Sequence, residues 1–153
     1  MPKIILPIRF GLAIAGALIL YFLLLSILGL HIYPMYSLFN GVITGFGIFE
    51  AIKYYKRQKG QYFEYSDGFS TGVVTGFIAT IVFTIFFGIY AGNINPDFLE
   101  NIINRWEDTY NTSLGSMIFL VAIFGFATSA ILTLTFMQLF KQSWNTKSPK
   151  KQK

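Results

Sequence analysis

Few side chains in this chain of 153 residues are able to do chemistry. There is no cysteine and a single histidine, His31. Disulfides, thiolate metal sites, cysteine nucleophiles and a histidine metal cluster are therefore excluded. The seven acidic residues fall in three places. Glu50 stands within an apolar run, Glu64 and Asp67 directly precede another, and Asp97, Glu100, Glu107 and Asp108 share one polar stretch. No nucleophile–base pair emerges from them. The sequence is read as that of a protein without enzymatic activity, cofactor or metal. His31 titrates near neutrality, so pH sensing stands beside an incidental place at a membrane rim. Glu50 raises the sharper question. At a bilayer centre a carboxylate costs roughly 2.5–3.5 kcal/mol, and less near the rim. Arg9 lies at comparable depth in the preceding apolar run, so an Arg9–Glu50 ion pair across the hairpin is expected. The alternatives are local pairing with Lys53, snorkelling toward water, and a role in proton or ion coupling.

The elements that hold these residues follow from composition. Apolar residues make up 54% of the chain, charged residues only 12%, and 17 residues are phenylalanine. A soluble domain this small has too much surface for its volume to hide so much apolar area, so the surplus faces lipid. Four runs reach the roughly 20 apolar residues that a transmembrane helix needs, at about 7–30, 34–54, 69–90 and 114–140. The expected fold is all-α, an integral membrane four-helix transmembrane bundle. The first run is too long for a signal peptide and lacks a cleavage site, so it is read as a permanent span. Lys3 and Arg9 precede it; Lys53, Lys56, Arg57 and Lys59 follow the second run; Lys141, Lys147, Lys150, Lys151 and Lys153 follow the fourth. Eleven of the 12 basic residues thus share one side, and only Arg105 lies on the other. The positive-inside rule then places both termini in the cytoplasm. The net charge of +5 is a topology signal and not a nucleic-acid footprint. The basic tail, 141–153, is read as disordered and able to touch anionic headgroups.

Small residues recur every fourth position in the third run: Gly68, Gly72, Gly76, Thr80, Thr84, Gly88 and Gly92. In lipid no hydrophobic force drives helices together, and small-xxx-small spacing lets backbones approach closely. A four-residue step advances about 400°, so the groove drifts about 40° per step. The third span is therefore expected at the bundle centre, meeting one partner through its cytoplasmic half and another through its outer half. Gly41 and Gly45 give the second span a small face, near Asn40, Thr44, Ile48 and Ala51. Ala122, Gly125, Ser129 and Thr133 do the same for the fourth. Intramolecular packing and a homo-oligomer or partner interface are both readings of these faces.

The outer connection carries its own pattern. Phe98, Leu99, Ile102, Ile103, Trp106 and Tyr110 fall within about 140° at 100° per residue, with acidic and amide residues opposite. This predicts an amphipathic periplasmic helix over about 96–110, lying on the membrane surface with Phe98, Ile102, Trp106 and Tyr110 as anchors. Docking into a partner protein is the alternative. On the other side, Ser66 or Asp67 is expected to cap the third helix.

The segments RFGLAIAG (9–16), IKYYK (52–56), YSDGFSTG (65–72) and PDFLE (96–100) resemble, in that order and spacing, the family known as domain of unknown function four-one-nine-nine. The resemblance runs from about Ile8 to Phe140. It implies a small four-span protein of the bacterial inner membrane and carries over no catalytic residue. Two functions are weighed. One is an accessory or assembly protein acting through helix packing, with the lipid bilayer and another membrane protein or a second copy as partners. The alternative is an oligomeric transporter or channel subunit. Four-span exporters carry an acid deep in the first helix, which this chain lacks, and midplane transport sites need polar or broken helices.

Overall fold

In the computed structural model, residues 5–98 and 113–140 are described. Four long helices dominate them: α1 (Ile5–Ile27), α2 (Pro34–Lys59), α3 (Tyr65–Ile89) and α4 (Leu114–Phe140). All four are long and apolar enough to cross a membrane. At 1.5 Å per residue, even the shortest spans the roughly 30 Å hydrocarbon layer. Large apolar side chains stand exposed around the bundle, among them Ile27, Leu38, Phe46, Phe124 and Leu139. This is the arrangement expected where the solvent is itself apolar.

Local chemistry sets the helix ends. After α1 the Leu30 N–H donates to the Leu25 carbonyl (2.8 Å) and the Gly29 N–H to the Ser26 carbonyl (3.1 Å). That pair of bonds closes a Schellman motif. It requires a left-handed residue, and Gly29 supplies it at φ 67°. Pro34 then opens α2, where its missing N–H costs no hydrogen bond. The sequence places the end of this span near 54, but α2 continues to Lys59 and stops at Gly60, φ 57°. A 3-10 turn, Gly60–Tyr62, leads into α3. There the expected cap is displaced by two or three residues. Glu64 occupies the N-cap position, and the Asp67 carboxylate accepts the Glu64 N–H (3.3 Å) in a capping box. Asp67 also pairs with Lys59 (2.8 Å), joining the end of α2 to the start of α3.

Ring and side-chain contacts fix the directions of the helices. Ile14 meets Gly47 and Tyr21 meets Phe39, so α1 and α2 run antiparallel. Gly11 meets Ile78 and Phe22 meets Phe87, so α1 and α3 run parallel. Gly45 meets Leu132 and Phe49 meets Phe136, so α2 and α4 also run parallel. Ile5, Phe140 and the α2–α3 loop consequently share one end of the bundle, here the basic end. The α1–α2 turn and the residues flanking the α3–α4 connection share the far end.

Helix α3 packs on each of the other three, most extensively on α1 and α4, which scarcely meet each other. It is the central helix, as its glycine spacing predicts. Helix α4 is peripheral, burying only Ser129, Thr133 and Met137. One apolar cluster joins Ile14, Leu18, Ile48, Ile52, Ala79 and Met137, and a second joins Phe22, Phe87, Tyr90, Ala91 and Phe98 at the far end.

Candidate functional site

The periodic glycines build one continuous seam between α3 and α4. A methyl group placed on Gly68 would come within 2.6 Å of the Met137 sulfur. One on Gly72 would come within 2.6 Å of Thr133, and one on Gly76 would collide with Ser129. The bulk then changes sides, since a methyl on Gly125 would come within 2.5 Å of Thr80. Farther along, Gly88 faces Ile118 (3.0 Å) and Gly92 faces Leu114 (3.1 Å). The paired numbers sum to 205 as far as Thr80 and to 206 beyond it, an antiparallel register held over the whole length. The expectation of separate partners for the two halves is thus corrected: Gly68 and Gly92 face the same helix. Two physical effects can keep such a stripe on one neighbour. A stripe with a period above 3.6 stays in contact if the helices wrap around each other in the right-handed sense. The π-helical turn Tyr90–Ile94 also has more residues per turn, so it rotates less per residue and offsets the drift near Gly92. At the basic half α2 joins from another side, with Ile52 3.0 Å from a methyl on Gly72 and Ile48 3.1 Å from one on Gly76.

The seam is dry. Thr75, Ser129 and Thr133 are fully buried, and their hydroxyl oxygens lack conventional partners. The Ser129 and Thr133 oxygens lie 2.5 and 2.8 Å from where Cβ atoms of Gly76 and Gly72 would sit. That direction is occupied by a glycine Cα hydrogen, so weak Cα–H···O contacts take the place of ordinary hydrogen bonds. Glycine serves here for close approach and not for backbone freedom.

The charges are arranged differently from expectation. Glu50 pairs with Lys53 (2.8 Å), each side chain about a third exposed (33% and 34%). The Arg9–Glu50 pair is corrected accordingly. Arg9 is exposed, while Gly11, Ile14, Leu18, Phe22 and Leu25 make the buried stripe of α1. At 100° per residue Arg9 lies about 100–140° from Phe10, Ile14 and Tyr21, the α1 residues that meet α2, so it points away from that contact. Lys53, one turn from Glu50 on the same helix face, takes its place. Lys56 closes the basic end of α4, its ammonium 3.5 Å from the Phe140 carbonyl and 5.2 Å from that ring's centroid.

Gly41 and Gly45 part company. Gly45 is in ordinary contact with Leu132 and Phe136 at 3.5–3.6 Å, whereas nothing lies within 4 Å of a methyl placed on Gly41. Gly41 is therefore not a packing residue among the described residues. It lines an apolar groove of about 480 Å³ between α2 and α4, with Val42, Phe46, Thr128 and Leu132. A smaller concavity of about 230 Å³ lies at the basic end, among Pro7, Tyr55, Asp67 and Ser70. Glu50 lines neither of them.

At the far end the ring of Phe22 meets those of Phe83, Phe86, Phe87, Tyr90 and Phe98, with centroids 4.9–6.3 Å apart and planes 74–86° apart. His31 closes this cluster from the α1–α2 turn, stacked on Phe98 at 4.9 Å and 14°. Burial pushes the imidazole below its ordinary pKa, and the Leu25 backbone opposes that shift in part. Tyr90 Oη lies 2.6 Å from Ser26 Oγ and accepts from the Asn95 amide (3.4 Å). Phe98 is thus a core residue, 1% exposed, and its expected role as a lipid anchor is corrected. The rings of α1 and α3 offer it more contact than the membrane surface would. Ile102, Trp106, Tyr110 and the rest of the expected outer helix lie outside the described residues.

Over residues 9–142 the chain matches the family described as Protein of unknown function (DUF4199). It belongs to that family. No curated protein and no solved structure matches it. The matched region runs from the second turn of α1 to just beyond α4, so the family unit is the four-helix bundle itself. In this DUF4199 protein one close contact escapes a search for runs of glycine. Gly47 receives Ile14, whose Cδ1 would lie 2.5 Å from a methyl there. Its sequence signal is Gly47–Ile–Phe–Glu–Ala51, the same small-xxx-small spacing with alanine as the second member.

Proposed function

We propose that this DUF4199 member is a multi-pass protein of the bacterial inner membrane, with both termini cytoplasmic, that works as an accessory or assembly factor by lateral helix contact. It is not an enzyme in this reading. The observation that carries the proposal is the contrast between its two small-residue faces. The α3–α4 seam is filled, whereas Gly41 on α2 has no opposing group among the described residues and lines an apolar groove. Small residues without an intramolecular neighbour suit the approach of another transmembrane helix, from a second copy or a different membrane protein. A transport function draws less support. It calls for a polar cavity reaching a membrane-embedded charge, and Glu50 lines neither concavity while already paired with Lys53.

The chain has no cysteine, so a single introduced thiol is a unique probe. With Gly41→Cys, a short thiol-reactive cross-linker applied to native membranes is expected to give a discrete higher-mass adduct. Phe124→Cys, exposed on α4, serves as the lipid-facing control. Equal, diffuse cross-linking at both positions would count against the reading.

A further inference from the structure

We propose that His31 is an acid-released latch that ties the start of the outer α3–α4 connection to the bundle. The carrying observation is geometric. The imidazole stacks on Phe98 (4.9 Å, 14°) and stands edge-on to Phe22 (5.9 Å, 78°) and Tyr90 (6.1 Å, 86°). Both ring nitrogens are shielded from solvent and lack a hydrogen-bond partner. The ring thus bridges three elements: the α1–α2 turn that carries it, α1 through Phe22, and the residues following α3 through Tyr90 and Phe98.

Among the described residues around it, only the Leu25 backbone favours a second proton, and burial outweighs it. Helix α1 contributes Phe22 and Ser26, with no charge at this end. From α3 the titratable neighbour is the Tyr90 phenol, engaged with Ser26 and Asn95. Asp97 precedes Phe98 but is exposed to solvent. A cationic imidazole would be a shielded charge that the Leu25 backbone compensates only in part, so leaving the cluster for water is favoured. The π-helical turn Tyr90–Ile94 precedes the point of release. Turns of this type are frequent at functional sites.

The sign of the linkage follows. The closed state prefers the neutral ring, and the open state ionises near the ordinary imidazole value of 6.5. The latch is at full strength above that pH and weakens as the pH falls below it. One linked proton changes the opening equilibrium by up to about tenfold per pH unit.

Because His31 is the single histidine, its ring resonance can be followed alone in detergent or nanodiscs, using a purification tag free of histidine. Its titration midpoint is expected below 6.5. A midpoint at or above 6.5 would overturn the latch, and this arm needs no variant. In parallel, hydrogen exchange at the amides of Asn93–Phe98, corrected for the intrinsic pH effect, is expected to rise between pH 7 and pH 5. In His31→Phe, which keeps the stacking ring and removes the proton site, the rise is expected to vanish. The same rise in the variant, or a flat profile in the native chain, would also overturn it.

Discussion

At the scale of single residues, the account assigns each glycine its work by what lies opposite. Gly76 and Gly41 have the same side chain and both stand within apolar helices, yet substitution should affect them differently. Gly76→Ala drives a methyl into Ser129 and should cost about 1–3 kcal/mol as overpacking. Gly41→Ala meets open space and should shift stability by no more than about 0.5 kcal/mol. The double variant Gly76→Ala with Ser129→Gly should recover most of the loss. The Thr80–Gly125 pair already shows that the bulk can come from either helix. Thermal unfolding in one detergent, followed by size-exclusion chromatography, measures all three.

The charged residues give a second comparison at this scale. A half-exposed pair such as Glu50–Lys53 contributes on the order of 0.5 kcal/mol. A double-mutant cycle between Glu50→Gln and Lys53→Gln should return a coupling of about that size. A cycle between Glu50→Gln and Arg9→Gln should return none. A measurable Arg9 coupling would restore the cross-hairpin pair that the helix geometry excludes.

At the scale of elements, what the sequence discloses depends on whether the information is local. Span number and the centrality of α3 are legible because an apolar run and a four-residue step are properties of one segment. The partner of that step is not legible in the same way. A 40° drift per step on a straight rod points Gly68 and Gly92 apart. In the folded bundle both nevertheless face α4, and the π-helical turn near Gly92 offsets part of the drift. Phe98 fails for a related reason. Its position in an amphipathic pattern says only that it leaves water. Whether lipid or the rings of Phe22, Phe87 and Tyr90 receive it depends on where α1 and α3 end. The Arg9–Glu50 pair is not legible from depth alone, since equal depth on two helices does not place side chains face to face. The Glu64–Asp67 box is nearly legible, because both acids stand at the start of the third apolar run and the N-cap lies only two or three residues before the expected Ser66 or Asp67.

At the scale of the whole molecule, the bundle combines a tight seam with a looser flank. Helix α3 is held on three sides, while α4 relies on that seam and on a partial contact with α2 that opens at Gly41. Among the described residues the α2–α4 flank carries an open apolar groove, and the far end is closed by a histidine-bearing aromatic cluster. The groove is the part of this picture that no sequence pattern disclosed. Gly41 and Gly45 look equivalent in the chain, and only the splay of α2 from α4 separates them.

The central claim is an even number of membrane crossings by four apolar helices, with both ends of the chain on the basic side. Labelling single cysteines in intact cells with a membrane-impermeant maleimide tests it most directly, since the native chain is free of thiols. Tyr33→Cys and Ser113→Cys should react in intact cells. Tyr62→Cys and Lys153→Cys should react only after lysis. Labelling of Tyr62→Cys and Lys153→Cys under opposite conditions, or recovery of the chain in the soluble fraction, would contradict the account.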